Sequence, residues 1–79
     1  MMRQDKMNKK ELLLKLGSKV RYERIKKNLS QEELAEIANL NMRSISTIER
    51  GVTDVKFTTL TKLAEALGVE TTVLIDFKL

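Results

Sequence analysis

Residues 29–51 read LSQEELAEIANLNMRSISTIERG. Ser30, followed three residues later by Glu33, is a capping box: the hydroxyl takes a backbone N–H of the first turn while the carboxylate reaches back. A short helix from about Gln31 to Ala38 follows. Asn39-Leu40-Asn41 breaks it, and Asn39 stands where the turn wants a residue at home at positive φ. Asn41 can cap another helix, about Met42 to Arg50, which Gly51 ends. Counting from Gln31, apolar residues fall at Leu34, Ala38, Leu40, Ile45 and Ile48, and small Ala35 sits where two helices would cross most closely.

Two short helices joined by three residues are the helix-turn-helix arrangement. A helical bundle with no nucleic-acid role is the plain alternative on pattern alone. Outward from this pair the chain also reads as helix. Asn8 to Lys27 is a run of good helix formers in which Leu13, Leu16, Val20 and Ile25 fall close to one face. Gly17 weakens its middle, so this stretch is either a lead-in turn plus a helix or one bent helix. Asn28 is a plausible stop. Val52–Lys56 is a loop. Thr58–Leu67 is a fourth helix, with Leu60, Leu63, Ala64 and Leu67 at core spacing and Gly68 at its end. A fifth helix is expected over about Thr71–Phe77; a strand at Thr71–Ile75 would have no partner. The expectation is an all-α domain of five helices over residues 11–79, with residues 1–10 as a tail or lead-in.

Composition narrows the function. The 79 residues contain no Cys and no His, which excludes disulfides, thiol nucleophiles, cysteine-histidine zinc sites and imidazole bases. No phosphate loop, nucleophile–base pair or metal-ligand cluster is visible, so an enzyme is not expected and neither a metal nor a cofactor is implied. The longest apolar run near the N-terminus, Leu12–Leu14, is too short for a signal peptide, and nothing approaches a membrane span, so a soluble cytoplasmic protein is expected. Net charge is +4. A small basic domain points first to a polyanionic partner.

The stretch Leu29–Gly51, continued by LTKLAEALGV at Leu60–Val69 and preceded by Val20-Arg21, resembles the helix-turn-helix of the XRE family, which includes the phage lambda-type repressors and Cro proteins. The resemblance covers about Leu16 to Phe77. It implies a five-helix lambda repressor-like DNA-binding domain in a family of mostly dimeric transcription regulators, with double-stranded DNA as partner. Three departures stand out. Asn39 replaces a frequent Gly, the Val52–Val55 loop lacks the usual basic residues and Pro, and Met1 to about Lys10 have no counterpart.

A recognition helix offers its N-terminal, groove-facing residues to base edges. With Ile45 and Ile48 facing the core, the opposite face carries Met42, Arg43, Ser46, Thr47 and Arg50, with Ser44 on the flank. By resemblance, Met42, Arg43, Ser44 and Thr47 occupy base-reading positions. Arg43 leads, because a guanidinium can bond guanine O6 and N7 together. Met42 can meet a thymine methyl or stay idle. Gln31, Asn41, Ser46, Arg50 and Lys56 are expected at the phosphates, Gln31 and Asn41 from helix starts whose amides favour anions.

Glu49 follows Ile48 and leans toward the core, where a carboxylate needs a partner. The resemblance implies Arg24, as a structural ion pair. Val73, Leu74, Ile75, Phe77 and Leu79 are too many apolar residues for one small core, so Val73, Leu74, Phe77 and Leu79 are expected at a homodimer interface. Two functional classes stand: a sequence-specific regulator on a palindromic operator, or an interaction module of the same fold with weak or no DNA binding. No small-molecule effector is evident. The charge is uneven. Residues 1–28 hold ten Lys/Arg against three Asp/Glu, a net +7, while residues 29–79 hold five against eight, a net −3.

Overall fold

The computed structural model describes residues 7–77. Five helices follow one another: α1 (Lys9–Lys26), α2 (Gln31–Ala38), α3 (Met42–Glu49), α4 (Phe57–Leu67) and α5 (Thr71–Leu74). α3 is the hub between α1 and α2. α4 packs on α2 and α5, and α1 reaches α4 and α5. The core is formed mainly by Val20 of α1, Leu34 of α2, Ile45 of α3, Leu63 and Leu67 of α4 and Leu74 of α5.

Local chemistry sets the helix boundaries. α1 starts at a capping box in which Asn8 Oδ1 accepts from the Glu11 N–H and Glu11 Oε1 accepts from the Asn8 N–H. α2 starts at the expected box of Ser30 and Glu33. Asn41 caps α3 by accepting from the Ser44 N–H at 2.8 Å. The four longer chain reversals share one ending. Asn28, Asn39, Gly51 and Gly68 all have φ between 58° and 72°. In each, the next residue's N–H bonds a carbonyl five residues back: Leu29 to Arg24, Leu40 to Ala35, Val52 to Thr47 and Val69 to Ala64. This is the Schellman motif, which satisfies helix carbonyls that would otherwise lack donors. Leu29, Leu40 and Val69 then fold back onto the core, so each stop also anchors the following segment.

Several expectations need correction. α1 is one continuous helix, and Gly17 is not its weak point but its contact point. A Cβ on Gly17 would lie 2.4 Å from the Ile48 carbonyl oxygen and 2.7 Å from that of Glu49, so α1 and α3 touch backbone to backbone. Ile25 does not share the buried face of Leu16 and Val20; it is 50% exposed. On a 100° per residue wheel it lies some 140° away from Val20, beyond the width of a core-facing stripe. α5 is a single turn, ending before Ile75. Leu74, assigned to a dimer face, is fully buried in the chain's own core, and Ile75 is the neighbour that points outward. The tail assigned to residues 1–10 lies outside the described residues up to position 6, and α1 already begins at Lys9.

Candidate nucleic-acid interface

α2 and α3 are joined by Asn39, Leu40 and Asn41, and the left-handed turn at Asn39 redirects the chain into α3. Ile45 and Ile48 bury the back of α3, while Ala35 and Ala38 let α2 lie close to it. This leaves a front face. Arg43, Arg50 and Met42 are exposed, Met42 by 53%, and Ser44, Ser46 and Thr47 are half-buried. Thr47 spends its hydroxyl proton on the Ser44 carbonyl at 3.1 Å, which leaves its oxygen as an acceptor. Asn41 uses its carbonyl oxygen as the cap of α3, leaving its amide NH2 as donor. Lys56 is exposed at the start of α4.

The rear of this surface is an ionic knot. Arg24 Nε donates to Glu49 Oε2 at 2.7 Å and Arg24 Nη2 to Oε1 at 3.0 Å, so the bridge is bidentate. The Arg24 and Glu49 side chains are only 12% and 4% exposed. Arg24 Nη1 also donates to the Leu29 carbonyl at 2.8 Å, at the α1–α2 connection. Gln31 Nε2 donates to Glu49 Oε1 at 3.1 Å. Arg24's own hydrogen bond to Glu49 holds its guanidinium above the ordinary pKa; burial opposes this, and the negative charge of Glu49 adds to it. One carboxylate thus ties α1, the start of α2 and the end of α3 together.

The expected Arg24–Glu49 pair is therefore present. Gln31 reaches it too, which the sequence reading missed in assigning that side chain to a phosphate; one amide N–H is committed, and its second N–H and oxygen remain. The only signal was positional, a Gln at the first turn of a helix that abuts a buried acid. The front-face residues Met42, Arg43, Ser44 and Thr47 belong to one helix, and Gln31 and Asn41 stand at the starts of α2 and α3. Lys9 lies 3.5 Å from Asp54 of the α3–α4 loop, with both side chains 73% exposed. Of the residues expected at a dimer face, Val73 and Phe77 are half-buried near exposed Ile75, and Leu79 lies outside the described residues.

The helix-turn-helix family model matches residues 20–74. The chain belongs to this family. It is 45% identical over 65 residues to the control protein C.BamHI of Bacillus amyloliquefaciens, covering 81% of this chain and 80% of that protein. Among solved structures, the restriction-modification controller protein C.AhdI of Aeromonas hydrophila superposes with a TM-score of 0.77 at 39% identity, covering 78% of this chain and 94% of that one. The biofilm master regulator SinR, solved in complex with DNA, superposes with a TM-score of 0.73 at 32% identity, covering 77% of this chain and 98% of that one. The XRE-type resemblance of residues 29–51 and the five-helix fold are both borne out. No helix among the described residues is long and apolar enough to cross a membrane.

Proposed function

We propose that this helix-turn-helix chain is a sequence-specific DNA-binding transcription regulator of the controller type, acting as a homodimer on a palindromic site. The observation that carries the proposal is the build of α3. Its back is locked by Ile45, Ile48 and the Glu49 knot, while its front presents Arg43 in the first turn. A recognition helix needs that combination of a rigid mount and an exposed base-reading donor. The similarity to C.BamHI and C.AhdI supports the controller class, and that to SinR supports DNA as the partner.

In this reading α3 enters the major groove. Arg43 takes guanine O6 and N7, Met42 lies against a thymine methyl, and Ser44 and Thr47 meet neighbouring base edges. Gln31, Asn41, Ser46, Arg50 and Lys56 hold the phosphates on either side, assisted by the amides at the start of α2. The +7 charge of residues 1–28 draws the duplex in without specifying sequence. Val73, Ile75 and Phe77 face the second copy, which sets the two recognition helices about 34 Å apart, one turn of the duplex. No step requires a cofactor or enzymatic chemistry, and the work is done where the DNA is, which retains the cytoplasmic expectation.

The test is selection of bound duplexes from a random-sequence library. A two-fold symmetric consensus supports the proposal. Uniform recovery of all sequences, or affinity that does not fall with salt, contradicts it.

A further inference from the structure

The first eleven residues of α1, 9–19, precede the segment matched by the family model, yet they lie against the far end of the proposed reading helix. Gly17 meets the carbonyls of Ile48 and Glu49, the last residues of α3. One turn earlier, Leu14 lies under Gly51: a Cβ added there would be 2.9 Å from both the Leu14 Cα and Cδ2. Lys9 then spans to Asp54 in the loop that follows. The reading residues Met42, Arg43 and Ser44 stand at the other end of the same eight-residue helix.

We infer that Gly17 is a positioning residue for base reading: its bare backbone sets how far α3 stands out from the domain. The inference rests on the proposed DNA reading. A side chain at Gly17 would begin 2.4 Å from the Ile48 oxygen, and an ordinary contact of 3.4 Å would require α1 and α3 to part by about 1 Å. Both neighbours are backbone, so no side-chain rotation relieves it. Binding constellations must be held within about 0.5 Å of their productive geometry. Base contacts fail under such a shift. Phosphate contacts made by long side chains such as Arg50 and Lys56, and attraction by charge at a distance, persist.

The experiment compares wild type, Gly17→Ala and Leu60→Ala. Leu60 is a core residue of α4, a helix that packs mainly on α2 and α5, so its variant lowers stability without placing an atom between α1 and α3. Affinity is measured for the duplex that wild type selects from a random library and for a random duplex, at a temperature where circular dichroism shows each variant folded. Gly17→Ala is expected to lose about tenfold or more on the selected duplex, the scale of one base-reading bond, and to keep its random-duplex affinity and salt slope within about twofold. Leu60→Ala is expected to melt earlier and keep the wild-type ratio. If Gly17→Ala does not fold, Leu14→Ala, which trims only the side chain under Gly51, is expected to show a smaller loss in the same direction. An unchanged ratio in the folded variant, or an equal fall in Leu60→Ala, overturns the inference. A wild type that selects no duplex overturns the DNA reading and the inference together.

Discussion

Arg24 and Glu49, twenty-five residues apart, meet through two parallel hydrogen bonds of 2.7 and 3.0 Å almost out of water. Removing one partner of such a pair leaves a buried charge uncompensated, which costs about 3–5 kcal/mol. Total stability for a domain is only about 5–15 kcal/mol. Glu49→Ala is therefore expected to lower the melting temperature sharply or to unfold the chain, as followed by circular dichroism. The double variant Arg24→Leu/Glu49→Leu should recover much of that loss, because an apolar pair leaves no orphaned charge. An unchanged melt in Glu49→Ala contradicts the structural role of the pair.

Gly51 and Gly68 adopt the same left-handed conformation with φ of 72° and 70°, but in different surroundings. Among the described residues, a Cβ at Gly68 meets only the end of the Lys27 side chain at 3.5 Å, whereas one at Gly51 meets the Leu14 backbone at 2.9 Å. Gly68→Ala is expected to cost about 1–2 kcal/mol from conformation alone. Gly51→Ala should cost more, since helix α1 must also give way. Urea unfolding of the two variants measures the difference; equal midpoints would contradict the close seat of α1.

Leu74 and Ile75 are adjacent, yet one is fully buried and the other is 47% exposed. The proposed dimer uses the exposed one. Ile75→Lys is expected to shift sedimentation toward monomer while sparing the monomer fold. Leu74→Ala should instead lose about 2–5 kcal/mol of stability by opening a core cavity. A wild type that sediments as a monomer at all concentrations removes the dimer from the account.

The parts legible in the sequence were those fixed by local chemistry. Asn28, Asn39, Gly51 and Gly68 could be read as helix ends because positive φ has few candidate residues, and Ser30 with Glu33 spelled its own cap. The Arg24–Glu49 pair was legible through resemblance, since nothing local links two residues that far apart. What depended on neighbours was not readable. Gly17 looked like a flaw in a helix because its value lies in the carbonyls of α3 opposite. Ile25 was placed on the core face by a five-residue spacing too loose for a helical stripe, and Leu74 at an interface by hydrophobicity alone, which does not say which face an apolar residue takes. Gln31 showed its donor capacity, but not that Glu49 would claim part of it.

The central claim is that Arg43, from the exposed front of α3, reads a base. Its most direct test is the affinity of wild type and Arg43→Ala for the selected duplex and for a random duplex, at two salt concentrations. Wild type is expected to prefer the selected duplex by about 10³-fold or more. Arg43→Ala is expected to lose about 1–3 kcal/mol on that duplex, to relax preference at one base pair in each half-site and to leave random-duplex binding unchanged. Equal losses on both duplexes, with a shallower salt dependence, would place Arg43 on a phosphate and contradict the claim.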